Sequence, residues 1–432
     1  MSSFQSRNTT KHHWGDSCMT KMIKLTKEDM QVTQENALDL FYSGIKASET
    51  KRKWEALLKR FLLDACSELF KGDFRQCAQQ FVDLVKQNQE QSTQLVISYV
   101  RFLKNRTALE KTDPDYLNPA TLPSYVMPIK KLLDMNGCGI GWKRIYSIYP
   151  ERNNTHDGRS YTREEIQLLL QCSDGLSTDF LILAMSSNAM RVGGWNNIQW
   201  KHVFPIYETL DGFSTLESDS KNKTIVCAGM VVYAGTKEQY TTLISIEAWE
   251  KLQLYKKEWT SKMKRLPNDS DPLILERYVD PKPISSTAVQ RRMEKLLYKS
   301  GIRVPLTEGK RRHDVPTCHG FRRYANSVMM KTAKKQLTLS SLVIKERLLG
   351  HSGLVKTDKN YFWTGVTDLV PEYLEAMPEI MISDEYRLKS KILEQDKKVE
   401  QLERANSEKD SALEKIKELE SKVDRISRYG RK

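Results

Sequence analysis

The chain has 432 residues, of which 69 are Lys or Arg and 55 Asp or Glu, giving a formal net charge of +14. Its length suits two or three domains, and 39% hydrophobic residues is enough for each to bury a core. No apolar run reaches the roughly eighteen residues of a membrane-spanning helix, and MSSFQSRNTTKHHWGDSC at the N-terminus lacks the apolar stretch of a secretory signal. The expectation is a cytoplasmic protein with no membrane partner. The excess positive charge points to a polyanion, because cations that neutralise phosphates release condensed counterions.

In chain order, residues 1–25 read as a polar, disordered tail. Over 26–148 the pattern is helical. Ala37, Leu38, Leu40, Phe41 and Ile45 recur at helical spacing, as do Trp54, Leu57, Leu58, Phe61 and Leu62, with Ser48 as the predicted cap of the second helix. Phe81, Val82, Leu84 and Val85 mark a third helix, and Leu95 to Leu103 a fourth. Asn118-Pro119 opens another, ended by Asn136-Gly137. The polar, turn-rich segment around Tyr149-Pro150-Glu151 predicts a linker over 149–159.

A second domain is expected over 160–382. Thr162-Arg163-Glu164-Glu165 has the form of a capping box, and an apolar helix follows at Phe180–Ala189. The period changes at Ile225–Tyr233 and Thr241–Ile246, which predicts strands joined by a hairpin around Gly235. Helices resume at 248–263, 285–300, 321–332 and 342–349. The fold class expected is mainly α with one small antiparallel sheet. From 383 to 432, Leu388, Ile392, Val399 and Leu402, then Ile416, Leu419, Val423 and Ile426 in a shifted register, predict a coiled coil and basic tail. A single solvated helix is the plainer alternative.

The seven cysteines are scattered without a CxxC pair, which suits a reducing interior and argues against disulfides or a zinc ribbon. His12, His13 and Cys18 lack a fourth ligand at a usual spacing, so no metal and no cofactor is expected.

Five short segments of the second domain share one chemical task. They are Asn188-Ala189-Met190-Arg191, Gly235-Thr236-Lys237, His319-Gly320-Phe321-Arg322, Leu349-Gly350-His351 and Asn360-Tyr361. Singly, each has an ordinary explanation: Lys237 as a solvated turn residue, His351 as a helix C-cap. Together, in the order Arg, Lys, HxxR, GH, Tyr, they resemble the tyrosine recombinase (phage integrase) superfamily. The resemblance covers roughly residues 26–380, and LLGHSG with Asn360-Tyr361-Phe362-Trp363 looks closest to archaeal integrases.

The resemblance implies a helical core-binding domain over 26–148 and a catalytic domain over 160–382. It implies an enzyme that breaks and rejoins double-stranded DNA through a 3′-phosphotyrosyl link to Tyr361, with no metal or ATP. Arg191 and Arg322 would clamp the phosphate oxygens with planar, permanently charged forks. His319 would accept the phenol proton, Lys237 would protonate the leaving 5′ oxygen, and His351 would hydrogen-bond the phosphate. A homo-oligomer, tetrameric at synapsis, is implied, as is a nucleoid-associated protein of a mobile genetic element, of archaeal, viral or plasmid origin. Two departures stand out: Gly194 occupies a position that is commonly acidic in bacterial members, and the His351–Tyr361 interval is one residue longer than usual. The alternatives are a type IB topoisomerase and a non-catalytic DNA-binding protein on the same scaffold.

Overall fold

In a computed structural model of the chain, residues 35–151, 158–216, 224–279, 281–307, 313–336, 339–350 and 365–429 are described. The chain divides into two compact units on either side of Asn154. The first holds helices α1 (Ala37–Ser43), α2 (Ser48–Lys59), α3 (Phe74–Gln87), α4 (Gln89–Thr107), α5 (Leu122–Met135) and α6 (Trp142–Ser147). Helix α3 starts at a reciprocal cap in which Asp73 and Gln76 satisfy each other's backbone N–H. Its inward residue Phe81 meets Phe61, whose ring also lies 5.0 Å from that of Tyr99. Phe61 sits on a π-helical turn, Arg60–Ala65, that prolongs α2. Ser48 is not the cap expected of it: it is the first residue of α2, after Ala47, which offers no side-chain bond.

In the second unit the predicted capping box at Thr162 and Glu165 is present and opens α7 (Arg163–Gln171). Helix α8 (Leu176–Asn188) is buried on every side from Phe180 onward, so its sequence shows no polar stripe. A four-stranded antiparallel sheet follows, formed by β1 (Val203–Thr209), β2 (Gly212–Ser214), β3 (Ile225–Val232) and β4 (Tyr240–Ser245) in the order β2-β1-β3-β4. The β3–β4 hairpin was expected from the sequence; β1 and β2 were not. Strand β1 carries Pro205 opposite Ala228 and a bulge between Ile206 and Tyr207. A proline within an inner strand hides the period-two signal.

Helices α9 (Ile246–Met263), α10 (Ser286–Lys299), α11 (Thr317–Gln336), α12 (Leu339–Leu348) and α13 (Val370–Ile380) complete this unit. Helix α11 starts earlier than the expected Phe321, which brings His319 inside it. The chain then runs into α14 (Asp384–Tyr429), one unbroken helix of 46 residues. The molecule is thus mainly helical with one small sheet and a long C-terminal helix. Among the described residues no helix is long and apolar enough to cross a membrane.

The start of α14 is fixed by Glu247, buried in the first turn of α9. Its carboxylate accepts the backbone N–H of Ile382 at 2.9 Å and of Ser383 at 3.0 Å. Burial raises the Glu247 carboxyl above its ordinary range although both bonds favour the charged form. Replacing Glu247 by Ala leaves the buried Ile382 donor and the half-buried Ser383 donor bare and should cost about 1–3 kcal/mol. Hydrogen exchange is expected to quicken at Ile382 and Ser383 in that variant, and unchanged protection there would refute the anchoring role.

Candidate active site

Arg191 lies just beyond α8. The helix ends because Ala189 takes a left-handed conformation (φ 52°), and the Met190 N–H turns back to the Asn188 side chain at 3.0 Å. The chain then enters a 3₁₀ turn, Val192–Trp195, against β3. At Gly194 a Cβ would come within 2.8 Å of Val232 Cγ1. That contact explains why this position carries no acid: a side chain there would displace a core residue.

His319 and Arg322 lie three residues apart in the first turns of α11 and so share a face. The start of this helix is held by buried Arg303, which donates to the Val315 carbonyl at 2.6 Å and to Thr317 Oγ1 at 3.3 Å. Tyr161 donates to the Thr317 carbonyl at 2.8 Å, and its ring lies 4.5 Å from Phe321.

Arg322 is half-buried and donates to the carbonyls of Ala189 and, at 3.0 Å, Leu349. Arg191, which is exposed, donates to the next carbonyl, that of Gly350, at 3.4 Å. Two guanidinium groups from distant segments thus meet at the end of α12. Gly350 makes this approach possible. Its φ is 63°, and a Cβ there would come within 2.4 Å of the Tyr240 ring.

The charges respond to one another. Burial and then the neighbouring Arg191 lower the Arg322 pKa from its ordinary value. Desolvation, with the positive charge of Arg322, Arg323 and Arg191, holds the His319 imidazole below its usual 6.5. His319 is therefore neutral near pH 7 and free to accept a proton.

Two tyrosines that the sequence reading passed over also border the arginines. Tyr233 and Tyr240 flank the β3–β4 hairpin with ring centroids 6.2 Å apart, and both interact electrostatically with Arg191 and Arg322. Burial pushes the Tyr240 phenol up to about 12, and its buried hydroxyl has no hydrogen-bond partner among the described residues. A pair of aromatic residues bracketing a predicted hairpin was the available signal.

Lys237 is exposed on the hairpin, in a loop closed by Gln239 N–H to the Thr236 carbonyl at 3.1 Å and Gly235 N–H to Gln239 Oε1 at 2.7 Å. It makes no hydrogen bond or ion pair among the described residues. His351 and Tyr361 lie outside the described residues, as do His12, His13 and Cys18. Tyr373, the other tyrosine near the C-terminal end of this unit, is a core residue. It is buried and donates to the Ser187 carbonyl at 3.3 Å. Among the described residues no group of three or more His, Cys, Asp or Glu is placed to hold a metal.

No family model and no curated protein matches the chain. Solved structures similar to it include the XerA recombinase, at 15% identity over 74% of this chain and 96% of that one, with a TM-score of 0.32. A lambda integrase dimer bound to a COC′ core site is 16% identical over 78% of this chain and 88% of its own, with a TM-score of 0.38. The XerH site-specific recombinase bound to palindromic difH substrate is 14% identical over 72% and 92%, with a TM-score of 0.39.

Two outcomes follow from this geometry. Arg322→Ala bares the carbonyls of buried Ala189 and Leu349 and should cost about 1–3 kcal/mol in denaturant unfolding, whereas Arg191→Ala should stay within about 0.5 kcal/mol. Equal costs would contradict the bridging role of Arg322. For His319, a folded pKa below 6.5 means that the unfolded chain takes up the proton first as pH falls through that value. Stability should therefore drop more steeply on the acid side of 6.5 in the parent than in His319→Gln, which keeps His202 and His313, both also held below 6.5. An NMR titration midpoint of His319 at or above 6.5 would contradict it.

Proposed function

We propose that the chain is a site-specific DNA recombinase, an integrase, that breaks and rejoins duplex DNA through a 3′-phosphotyrosyl link to Tyr361. The observation that carries this reading is the meeting of Arg191 and Arg322 at the end of α12, with the neutral His319 near enough to feel both charges. Gly350, whose carbonyl Arg191 reaches, is followed in the chain by His351, and Tyr361 comes ten residues later.

The residues divide the work by their chemistry. A phosphodiester gathers negative charge on its non-bridging oxygens as it is attacked in line. The two guanidinium forks stabilise that charge and gain relief from their mutual repulsion. His319 takes the proton of the Tyr361 hydroxyl as its oxygen bonds to phosphorus. Lys237 gives a proton to the 5′ oxygen that leaves, and His351 hydrogen-bonds a phosphate oxygen. The phosphotyrosyl ester conserves the bond, so a 5′ hydroxyl can reverse the attack and religate without ATP.

In this reading residues 26–148 form a core-binding domain, 149–159 a linker and 160–382 the catalytic domain. The duplex is held mostly through phosphates, in keeping with the net charge of +14. Strand exchange takes place in a tetramer, and the gene belongs to a mobile element.

A nicked suicide duplex from the element's own junction tests the reading. The parent should trap a covalent adduct, and Tyr361→Phe should lose it while binding the same duplex. Arg191→Ala should slow trapping by about 10²–10³-fold. An adduct that survives Tyr361→Phe, or disappears in Tyr373→Phe, would reassign the nucleophile. No adduct with the parent would favour a DNA-binding protein on a silent scaffold. Relaxation of supercoils without any site requirement would favour a topoisomerase.

A further inference from the structure

The long helix α14 leaves an apolar stripe uncovered. Leu388, Ile392, Val399 and Leu402 are each more than half exposed, as Ile416 nearly is. Counted in sevens, Leu388, Gln395, Leu402, Lys409 and Ile416 fall at d, and Ile392, Val399, Asn406 and Leu413 at a. Six of these nine positions are apolar over four heptads, the length at which such a seam argues for a coiled coil. Past Ile416 the stripe moves to Leu419, so the regular seam ends there.

The flanking charges select the occupant. In a parallel pair in register, each g residue lies against the e residue of the following heptad on the other helix. Here Lys391 would meet Asp396 and Lys398 would meet Glu403, while Asp384 and Lys389 are already engaged by Arg387 and Glu385. Both inter-helix pairs are opposite in charge. An antiparallel pair sets e against e and g against g, so the acidic e residues Asp396, Glu403 and Asp410 would face one another. Asn406 points the same way. At an a position of a parallel pair the two Asn406 amides lie level and can hydrogen-bond each other, whereas an antiparallel pair sets each against a d residue, Leu402 or Gln395 according to register, and parts the two amides. The opposite side of the helix is already paired within itself, as in Arg404 to Glu400.

From these observations we infer that α14 is the docking surface for a second copy of this chain, joined over residues 388–416 as a parallel, in-register, two-stranded coiled coil. The inference does not rest on the recombinase reading, because the pairing needs neither DNA nor Tyr361.

The test uses the full chain without DNA. Sedimentation should give a dimer. The doubly reversed variants Lys391→Glu/Lys398→Glu and Asp396→Lys/Glu403→Lys should each self-associate about tenfold more weakly, and an equimolar mixture should recover the parent's affinity as a heterodimer. Ile392→Cys should form a disulfide-linked dimer on mild oxidation beyond any formed by the parent, because only the parallel register brings two copies of that residue together. Circular dichroism of each variant shows whether α14 stays helical. A monomer, a trimer, absence of the Ile392→Cys link, or helical charge variants that do not prefer each other would each overturn the inference.

Discussion

The candidate site depends on one side chain reaching two helix ends at once. Arg322 leaves α11 and ties the carbonyl of Ala189, past α8, to that of Leu349, past α12. Carbonyls at helix C-termini lack intrahelical donors and carry the negative end of the helix dipole, so a guanidinium is the natural partner. The same bonds fix where Arg191 begins, because Arg191 lies two residues beyond the carbonyl that Arg322 holds. Stability and site geometry are therefore coupled through one residue.

That coupling has an electrostatic consequence. Half-burial and the nearby Arg191 both act against the charge on Arg322, and the same cations depress His319. A cluster of this kind is poised for an anion, since an oxyanion between the guanidinium groups lowers their repulsion and competes with water for the same donors. The neutral imidazole follows from the same arrangement. Burial, and then the cations that would hold an anion, keep His319 in the state that accepts a proton.

The sequence made parts of this legible for identifiable reasons. Helices with one buried stripe, such as α2 and α9, announce themselves by spacing, and the Thr162–Glu165 box and the Gly235 hairpin by local turn chemistry. Strand β1 did not, because Pro205 and a bulge interrupt its alternation. Helix α14 was expected to shift register in its middle; the backbone runs through as one helix, and the shift concerns only which face its apolar residues occupy. Arg191 and Arg322 stand out in the sequence by motif spacing, and the fold brings their guanidinium groups to neighbouring carbonyls. Tyr233 and Tyr240 do not stand out, since a tyrosine beside a hairpin reads as ordinary strand composition until the fold sets it against an arginine.

Three chain segments reach the site through the same unfavourable backbone conformation. Ala189, Tyr233 and Gly350 have φ angles of 52°, 55° and 63°. For the two residues with a Cβ this costs roughly 1–2 kcal/mol each, and such strain persists only where the surroundings outweigh it. At Ala189 the surroundings are the buried end of α8 and the bond from Arg322. At Gly350 the absence of a side chain admits the Tyr240 ring. Each bend ends an element abruptly, and the one at Ala189 turns the chain so that Arg191, two residues on, leaves the core beside the Gly350 carbonyl. A smoother chain would be cheaper and would carry the Arg191 side chain away from that carbonyl. The strained turns are the means by which segments distant in sequence deliver cations to one carbonyl-lined edge.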